Sequence, residues 1–231
     1  ILAKRSGDLW AADARGGVVK ITPDGRQDII TQHFGETFSQ AQNAATQFTE
    51  GTLPNGLAFA KNGNIYISNF GTDVLEVMEP NGKTTVLYDE IDGEPIGKVN
   101  FVLRDSKERL WLTVSTRIKN WMEAISPNVS DGFIAMADDR GLRIMTDGLS
   151  FTNEIRFDAN EEYLYIVETC GQRISRMKVA EDGTLSQREV FGPTQLGSGG
   201  FPDGIAFDSH GNLWGTLVMS DQIFAITPEG D

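Results

Sequence analysis

One phrase occurs twice in this chain, as "LPNGLAFAKNGNIY" at 53–66 and as "FPDGIAFDSHGNLW" at 201–214. A repeat of this kind constrains the fold more than any composition, because each copy must adopt the same local structure and stack on its neighbours. Shorter relatives of the phrase occur at "RSGDLWAAD", "KNGNIYISN", "SKERLWLTV", "NEEYLYIVE" and "SHGNLWGTL". Each has a polar turn, an aliphatic–aromatic pair and a short alternating strand. The aromatic positions are Trp10, Tyr66, Trp111, Tyr165 and Trp214, at gaps of 56, 45, 54 and 49 residues. Four-stranded propeller blades repeat at about 40–50 residues.

The strand before each turn also recurs, as "GLAFA", "FVLRD", "EIRFD" and "GIAFD". A third strand follows in "VVKITPDG", "VLEVMEPNG", "GFIAMADDRG", "RISRMKVAEDG" and "QIFAITPEGD", most of them closing on a turn that contains Gly. Fourth strands are expected at "TTVLYD" and "QREVFG". Helical periodicity is nowhere sustained, and the stretch 32–52 reads as a crossover loop. The expected fold is all-β: a six-bladed propeller of four-stranded antiparallel blades, forming one domain over 1–231. Five blades are legible. The first copy begins with its inner strand cut and the last stops after its third strand, which predicts a domain truncated at both ends. The repeated aromatics are expected to form the core between blades.

A net charge of −13 disfavours nucleic acid and anionic membrane surfaces as partners. No apolar run is long enough to span a bilayer. The single cysteine, Cys170, excludes an internal disulfide and a multi-cysteine zinc site, and suits a cytoplasmic location.

In a propeller, the residue just before each inner strand points toward the axis. That position holds Asn55, Asn100, Asn153 and Asp203. Asn55-Gly56 and Asp203-Gly204 also suit ordinary turns. Asn100 precedes Phe101 and Asn153 precedes Glu154, where turn geometry does not require Asn. Converging side-chain oxygens without His or Cys suit a hard cation such as Ca2+. His33 and His210 sit in a loop and a turn and read as solvated. The pattern G-x-S-x-G is missing, and "GSGG" at 197–200 opens no helix, so neither a serine-hydrolase triad nor a phosphate loop is indicated.

The segments "VNFVLRDSKERLWLT", "LSFTNEIRFDANEEYLYIVET" and "FPDGIAFDSHGNLW" resemble the SMP-30/gluconolactonase family, and the likeness runs through essentially the whole chain. The resemblance implies a six-bladed propeller with a divalent cation on its axis. Ca2+ is first among the candidates, with Mg2+, Mn2+ or Zn2+ as alternatives. It further implies that Asn153, Asp203 and the blade-three Asn100 hold the cation. Asn55 has no ligand role in the family and is placed at the mouth. The family's blade-one Glu, in an "E-G-P-x-W" motif, falls ahead of Ile1. Many sugar lactonases carry Arg where this chain has Lys98, a point charge that cannot contact substrate in the same bidentate way.

The implied reaction is hydrolysis of a lactone or carboxyl ester, with Asp203 as general base or nucleophile. The loop 115–132 carries Arg117, Trp121 and Met122, candidates to roof the pocket and contact a small-molecule substrate. Phe70, Glu168, Thr169 and Met219 are expected at the same mouth. The rival reading is a non-catalytic propeller that binds a ligand or protein and uses a cation structurally. Strictosidine synthase-like chemistry, which depends on a catalytic Glu, finds no clear match in these motifs.

Overall fold

The computed structural model describes residues 1–33, 51–197 and 199–231. Five antiparallel sheets follow one another along the chain, each pairing its strands in sequence order. Blade 1 comprises β1 (Leu2–Ala3), β2 (Leu9–Asp13), β3 (Gly17–Ile21) and β4 (Gln27–Thr31). Blade 2 comprises β5 (Pro54–Phe59), β6 (Ile65–Asn69), β7 (Val74–Met78) and β8 (Thr84–Tyr88). A two-stranded ribbon, β9 (Glu90–Ile91) and β10 (Glu94–Pro95), leads onward to blade 3. That blade holds β11 (Val99–Arg104), β12 (Leu110–Val114), β13 (Gly132–Asp138) and β14 (Gly141–Leu149). Blade 4 has β15 (Thr152–Phe157), β16 (Tyr163–Glu168), β17 (Arg173–Lys178) and β18 (Glu189–Phe191). Blade 5 has three strands, β19 (Phe201–Phe207), β20 (Leu213–Val218) and β21 (Gln222–Ile226).

The all-β, bladed reading therefore holds, with five blades among the described residues and no sixth. Fourth strands are commoner than the sequence suggested, since β4 and β14 add to the two expected. The region 32–52 falls mostly on residues 34–50, outside the described set, as does Ser198 of "GSGG".

Four apolar clusters fill the spaces between successive blades, one for each neighbouring pair. An aromatic on the second strand of one blade meets a Phe on the first strand of the next, edge to face. Trp10 meets Phe59 at 5.7 Å, Trp111 meets Phe157 at 5.5 Å, and Tyr165 meets Phe207 at 5.0 Å. Such contacts add about 0.5–1.5 kcal/mol beyond the area they bury. Trp111 is wholly buried, and its truncation to Ala would cost about 3–5 kcal/mol. Trp214, on the last of the five described blades, is 47% exposed.

The repeated Asp six residues before Trp has its own cause. A buried indole N–H needs an acceptor. Asp105 accepts from Trp111 Nε1 at 2.9 Å while its other oxygen accepts the backbone N–H groups of Lys107 and Arg109. Asp208 does the same for Trp214, His210 and Asn212. One carboxylate thus closes the turn and fixes the ring of the following strand.

Candidate functional site

The first strands of the blades run inward from one face, and all four long ones carry the same irregularity. The ladder shifts register between Pro54 and Leu57, between Val99 and Phe101, between Thr152 and Ile155, and between Pro202 and Ile205. Asn55, Asn100, Asn153 and Asp203 all fall inside these shifts. A bulge re-aims a side chain that regular pleating would send into a blade interface. Beyond the bulge, Leu57, Val102, Ile155 and Ile205 are each at most 3% exposed, back in the inter-blade core.

Hydrogen bonds tie the bulged residues together across blades. Asn55 donates its Nδ2 to the backbone and side-chain oxygens of Asn100, at 2.9 and 2.8 Å. Asn100, buried, donates to the Ser115 hydroxyl at 2.9 Å, and Ser115 donates to the Thr152 carbonyl at 2.7 Å. Asn153 donates to Thr169 Oγ1 at 3.3 Å, and Thr169 donates to the Pro202 carbonyl at 2.8 Å. The Asn153 amide also lies near enough to the Asp203 carboxyl to favour its ionised form. Hydrogen bonds thus join Asn55 to Asn100, run on through Ser115 to Thr152, and tie Asn153 through Thr169 to the strand that carries Asp203.

Burial pushes the Asp203 carboxyl above the ordinary carboxylate range, and the Asn153 amide offsets this only in part. An uncompensated carboxylate beside neutral amide groups is what a bound cation would neutralise. The donors are a carboxylate and amide oxygens, which fit a hard divalent ion and not one that prefers imidazole or thiolate. Among the described residues, no cluster of three or more acidic, His or Cys side chains could hold a metal.

Two residues that sequence reasoning did not single out share this channel. Glu154 and Arg156 line a cavity of about 550 Å3 together with Asp203, Trp214, Thr216 and Ile223. Burial raises the Glu154 carboxyl, while Arg156 and the Ile205 N–H oppose the rise. The available signal was positional: Glu154 stands where two other copies have glycine.

Those glycines are explained by close approach. A Cβ on Gly56 would lie 2.8 Å from Phe101 Cα and Cδ2, and one on Gly204 would lie 3.0 Å from Glu154 Oε2. The layer below these residues therefore pairs each small residue with a large neighbour: Gly56 with Phe101, and Gly204 with Glu154.

The expected roof is apolar and spans three blades. Trp121, in a single 3-10 turn at Trp121–Ala124, packs its ring 5.8 Å from Phe70 and 6.2 Å from Phe151. Leu53, Ala124 and Cys170 complete the cluster. Lys98 is wholly buried with its ammonium 2.8 Å from Asp73 Oδ1 and over the Phe70 ring. Arg117 is exposed, donating to the Pro95 carbonyl at 3.1 Å and lying over Phe133. Met122 is 59% exposed. Glu168 closes β16 wholly buried, bonded by Arg173 and Ser175 and by the Ser150 N–H.

The family model described as "SMP-30/Gluconolactonase/LRE-like region" matches residues 28–231. The chain belongs to this family. A strictosidine synthase-like protein of Arabidopsis thaliana, "STRICTOSIDINE SYNTHASE-LIKE 4", is 25% identical over 173 residues, covering 73% of this chain and 45% of the relative. That match lies in a group whose motifs the sequence reading did not find. Among solved structures, a gluconolactonase of Xanthomonas campestris superposes with a TM-score of 0.74 at 18% identity, covering 98% of this family member and 70% of that chain. Regucalcin of Agrobacterium tumefaciens, described as a calcium-binding protein, gives a TM-score of 0.72 at 18% identity, covering 98% and 68%. At such identities the structural likeness concerns the fold. This SMP-30/gluconolactonase family member spans about half the length of the curated relatives it matches. No helix among the described residues is long and apolar enough to cross a membrane.

Proposed function

We propose that this family member hydrolyses a lactone or a related carboxyl ester at the bulged ends of its inner strands. The observation that carries this reading is Asp203, a half-buried carboxylate in a strand bulge, with the neutral amide of Asn153 as its neighbour. Family membership, and a fold shared with a gluconolactonase and a calcium-binding regucalcin, support it. Asn100, Asn153 and Asp203 would hold a divalent cation, Ca2+ before Mg2+, Mn2+ or Zn2+. When bound, such an ion polarises an ester carbonyl and stabilises the charge that develops on its oxygen.

The chain's own groups supply the rest. Asp203 would accept the proton of an attacking water, or would itself attack the carbonyl carbon, expelling the alkoxide to leave an anhydride that water then hydrolyses. Asn153 and Thr169 hold Asp203 and its strand in register across the blade boundary. Asn55 orients the Asn100 oxygen. Trp121, with Phe70 and Phe151, walls off water from the mouth, and Met122 and Arg117 lie on the same loop, open to a substrate. Lys98, through its contact with Asp73, shapes the mouth loop of blade 2.

A second reading, a ligand- or protein-binding propeller without catalysis, is favoured by one observation. Glu154, a further carboxylate in the channel, is already neutralised by Arg156, which leaves Asp203 alone to attract an ion. Hydrolysis of sugar lactones and aryl esters by the full-length protein, with and without chelator, decides between the two. Activity that chelator and Asp203→Ala both abolish supports the hydrolase. Robust activity that survives both would overturn the assigned site, and inactivity on every ester leaves the binding module.

A further inference from the structure

Inner strands of a propeller present one edge toward the axis, where their backbone groups lack a ladder partner. Ile205, the first residue of β19 back in register after the bulge, has both of its groups held from blade 4. Its N–H donates to Glu154 Oε2 at 3.0 Å, and its carbonyl accepts from Arg156 Nε at 3.1 Å. Glu154 and Arg156 are also ion-paired to each other. They stand two residues apart on β15 and so face the same side of that strand. The Arg156 guanidinium reaches back over the Phe101 ring at 4.7 Å, so this side chain touches elements of blades 3, 4 and 5.

Asp203 and Gly204 are the two residues that the bulge takes out of the ladder, between Pro202 and Ile205. Pro202 is anchored by Thr169 on one side, and Ile205 by Glu154 and Arg156 on the other. Gly204 carries no side chain to hold it, and the Glu154 carboxylate fills the room that its Cβ would need. We propose that Glu154 and Arg156 act as positioning residues: together they clamp the strand that presents Asp203 and so set where its carboxylate lies. The inference rests on the hydrolase reading for its catalytic consequence and on geometry alone for the clamp. Neither residue is assigned contact with substrate.

The test compares Glu154→Ala, which removes the acceptor, with Glu154→Gln, which keeps an oxygen for the Ile205 N–H. Arg156→Lys keeps the charge and loses the Nε donor. Three readouts on the full-length protein are needed: kcat and KM on an ester substrate, calcium affinity by calorimetry, and amide exchange at Ile205. For Glu154→Ala, kcat is expected to fall about 10–100-fold with KM within about threefold, as displaced supporting groups do elsewhere. Calcium affinity should fall in parallel, and the Ile205 amide should exchange at least about tenfold faster, the loss of one backbone hydrogen bond.

Glu154→Gln should restore all three to within about threefold of wild type, because it can still accept the Ile205 bond. If Glu154→Ala leaves kcat, calcium affinity and Ile205 exchange near wild type, the clamp does not exist. A rise in KM at unchanged kcat would make Glu154 a substrate-binding group instead. Glu154→Gln as damaging as Glu154→Ala would place its charge in the chemistry and overturn the positioning role. Should Glu154→Ala fail to fold, Arg156→Lys is read on the same three measurements, with the same expected direction. A wild-type protein inactive on every ester defeats the hydrolase reading only; calcium affinity and Ile205 exchange then decide the clamp by themselves.

Discussion

Ser115 donates its hydroxyl proton to the backbone carbonyl of Thr152 at 2.7 Å, a bond that leaves blade 3 and lands on the inner strand of blade 4. The same tie occurs from Ser68 to the Asn100 carbonyl at 2.7 Å and from Thr169 to the Pro202 carbonyl at 2.8 Å. Each donor lies within one residue of the end of the second strand of its blade, and each acceptor lies at the next blade's bulge. The residues that carry the candidate chemistry are therefore held by neighbours from a different blade.

Ser115→Ala tests the tie. The hydroxyl also accepts from Asn100 Nδ2, so its loss strands a buried donor and a buried carbonyl. The expected cost is about 2–4 kcal/mol, read as a lower urea midpoint. Activity should fall more than stability predicts, because Asn100 loses its anchor. An unchanged midpoint would show that water replaces the hydroxyl.

Asp203→Asn should separate function from stability. Without added metal, removing a half-buried and only partly compensated carboxylate should stabilise the protein by about 1 kcal/mol at neutral pH, as substitutions at strained functional sites commonly do. Calcium should raise the melting temperature of wild type through linkage and leave Asp203→Asn unmoved. A calcium shift of equal size in both proteins would place the ion elsewhere.

Glu76 gives a pH signature away from the site. It lies buried between blades 1 and 2, with Gln32 Nε2 at 2.6 Å and Asn69 Nδ2 at 3.1 and 3.2 Å from its oxygens. Burial raises its carboxyl from 4.5 to about 7 against these neutral partners. The folded state thus binds the proton more tightly than the unfolded chain. Stability falls as pH rises from about 4.5, and the loss is complete above about 7. The slope in this window should not exceed about 1.4 kcal/mol per pH unit from this group, and Glu76→Gln should flatten it in urea unfolding across that range. Asp138 and Asp208 act oppositely and at more acid pH. Arg143, and Trp214 with Asn212, hold their carboxyls below the ordinary range, so stability drops as they protonate.

Gly56→Ala and Gly204→Ala look alike in sequence and should differ in effect. The Gly56 methyl would press on Phe101 backbone and on Ser68 Oγ, at a cost of about 1–3 kcal/mol. The Gly204 methyl would meet only the end of the Glu154 side chain. Its effect on the denaturation midpoint should be small, and the loss should show in kcat. Equal destabilisation of the two variants would rule out this account of the glycines.

Much of the architecture was legible because it is local. The aliphatic–aromatic pairs and the polar turns are short-range features; the Asp six residues before Trp is equally local, but that Asp208 serves both its turn and Trp214 emerged only from the structure. The axial positions were also legible, since Asn55, Asn100, Asn153 and Asp203 occupy one place in the repeat. Glu154 and Arg156 were not, because their partners are the backbone of Ile205, some fifty residues away and without a side-chain signature. The seclusion of Lys98 was hidden for the same reason: Asp73 reaches it from another blade's loop.

By itself, then, the sequence determined the repeat, the all-β class and the family, because period and turn chemistry act within a few residues. Only the tertiary structure decided which of these groups touch and why two glycines are needed. Those outcomes depend on what the adjacent blade presents, and contacts across a blade boundary join residues far apart in the chain. The bulges mark the difference most clearly. They are invisible as a pattern, yet Asn55, Asn100, Asn153 and Asp203 each fall inside one.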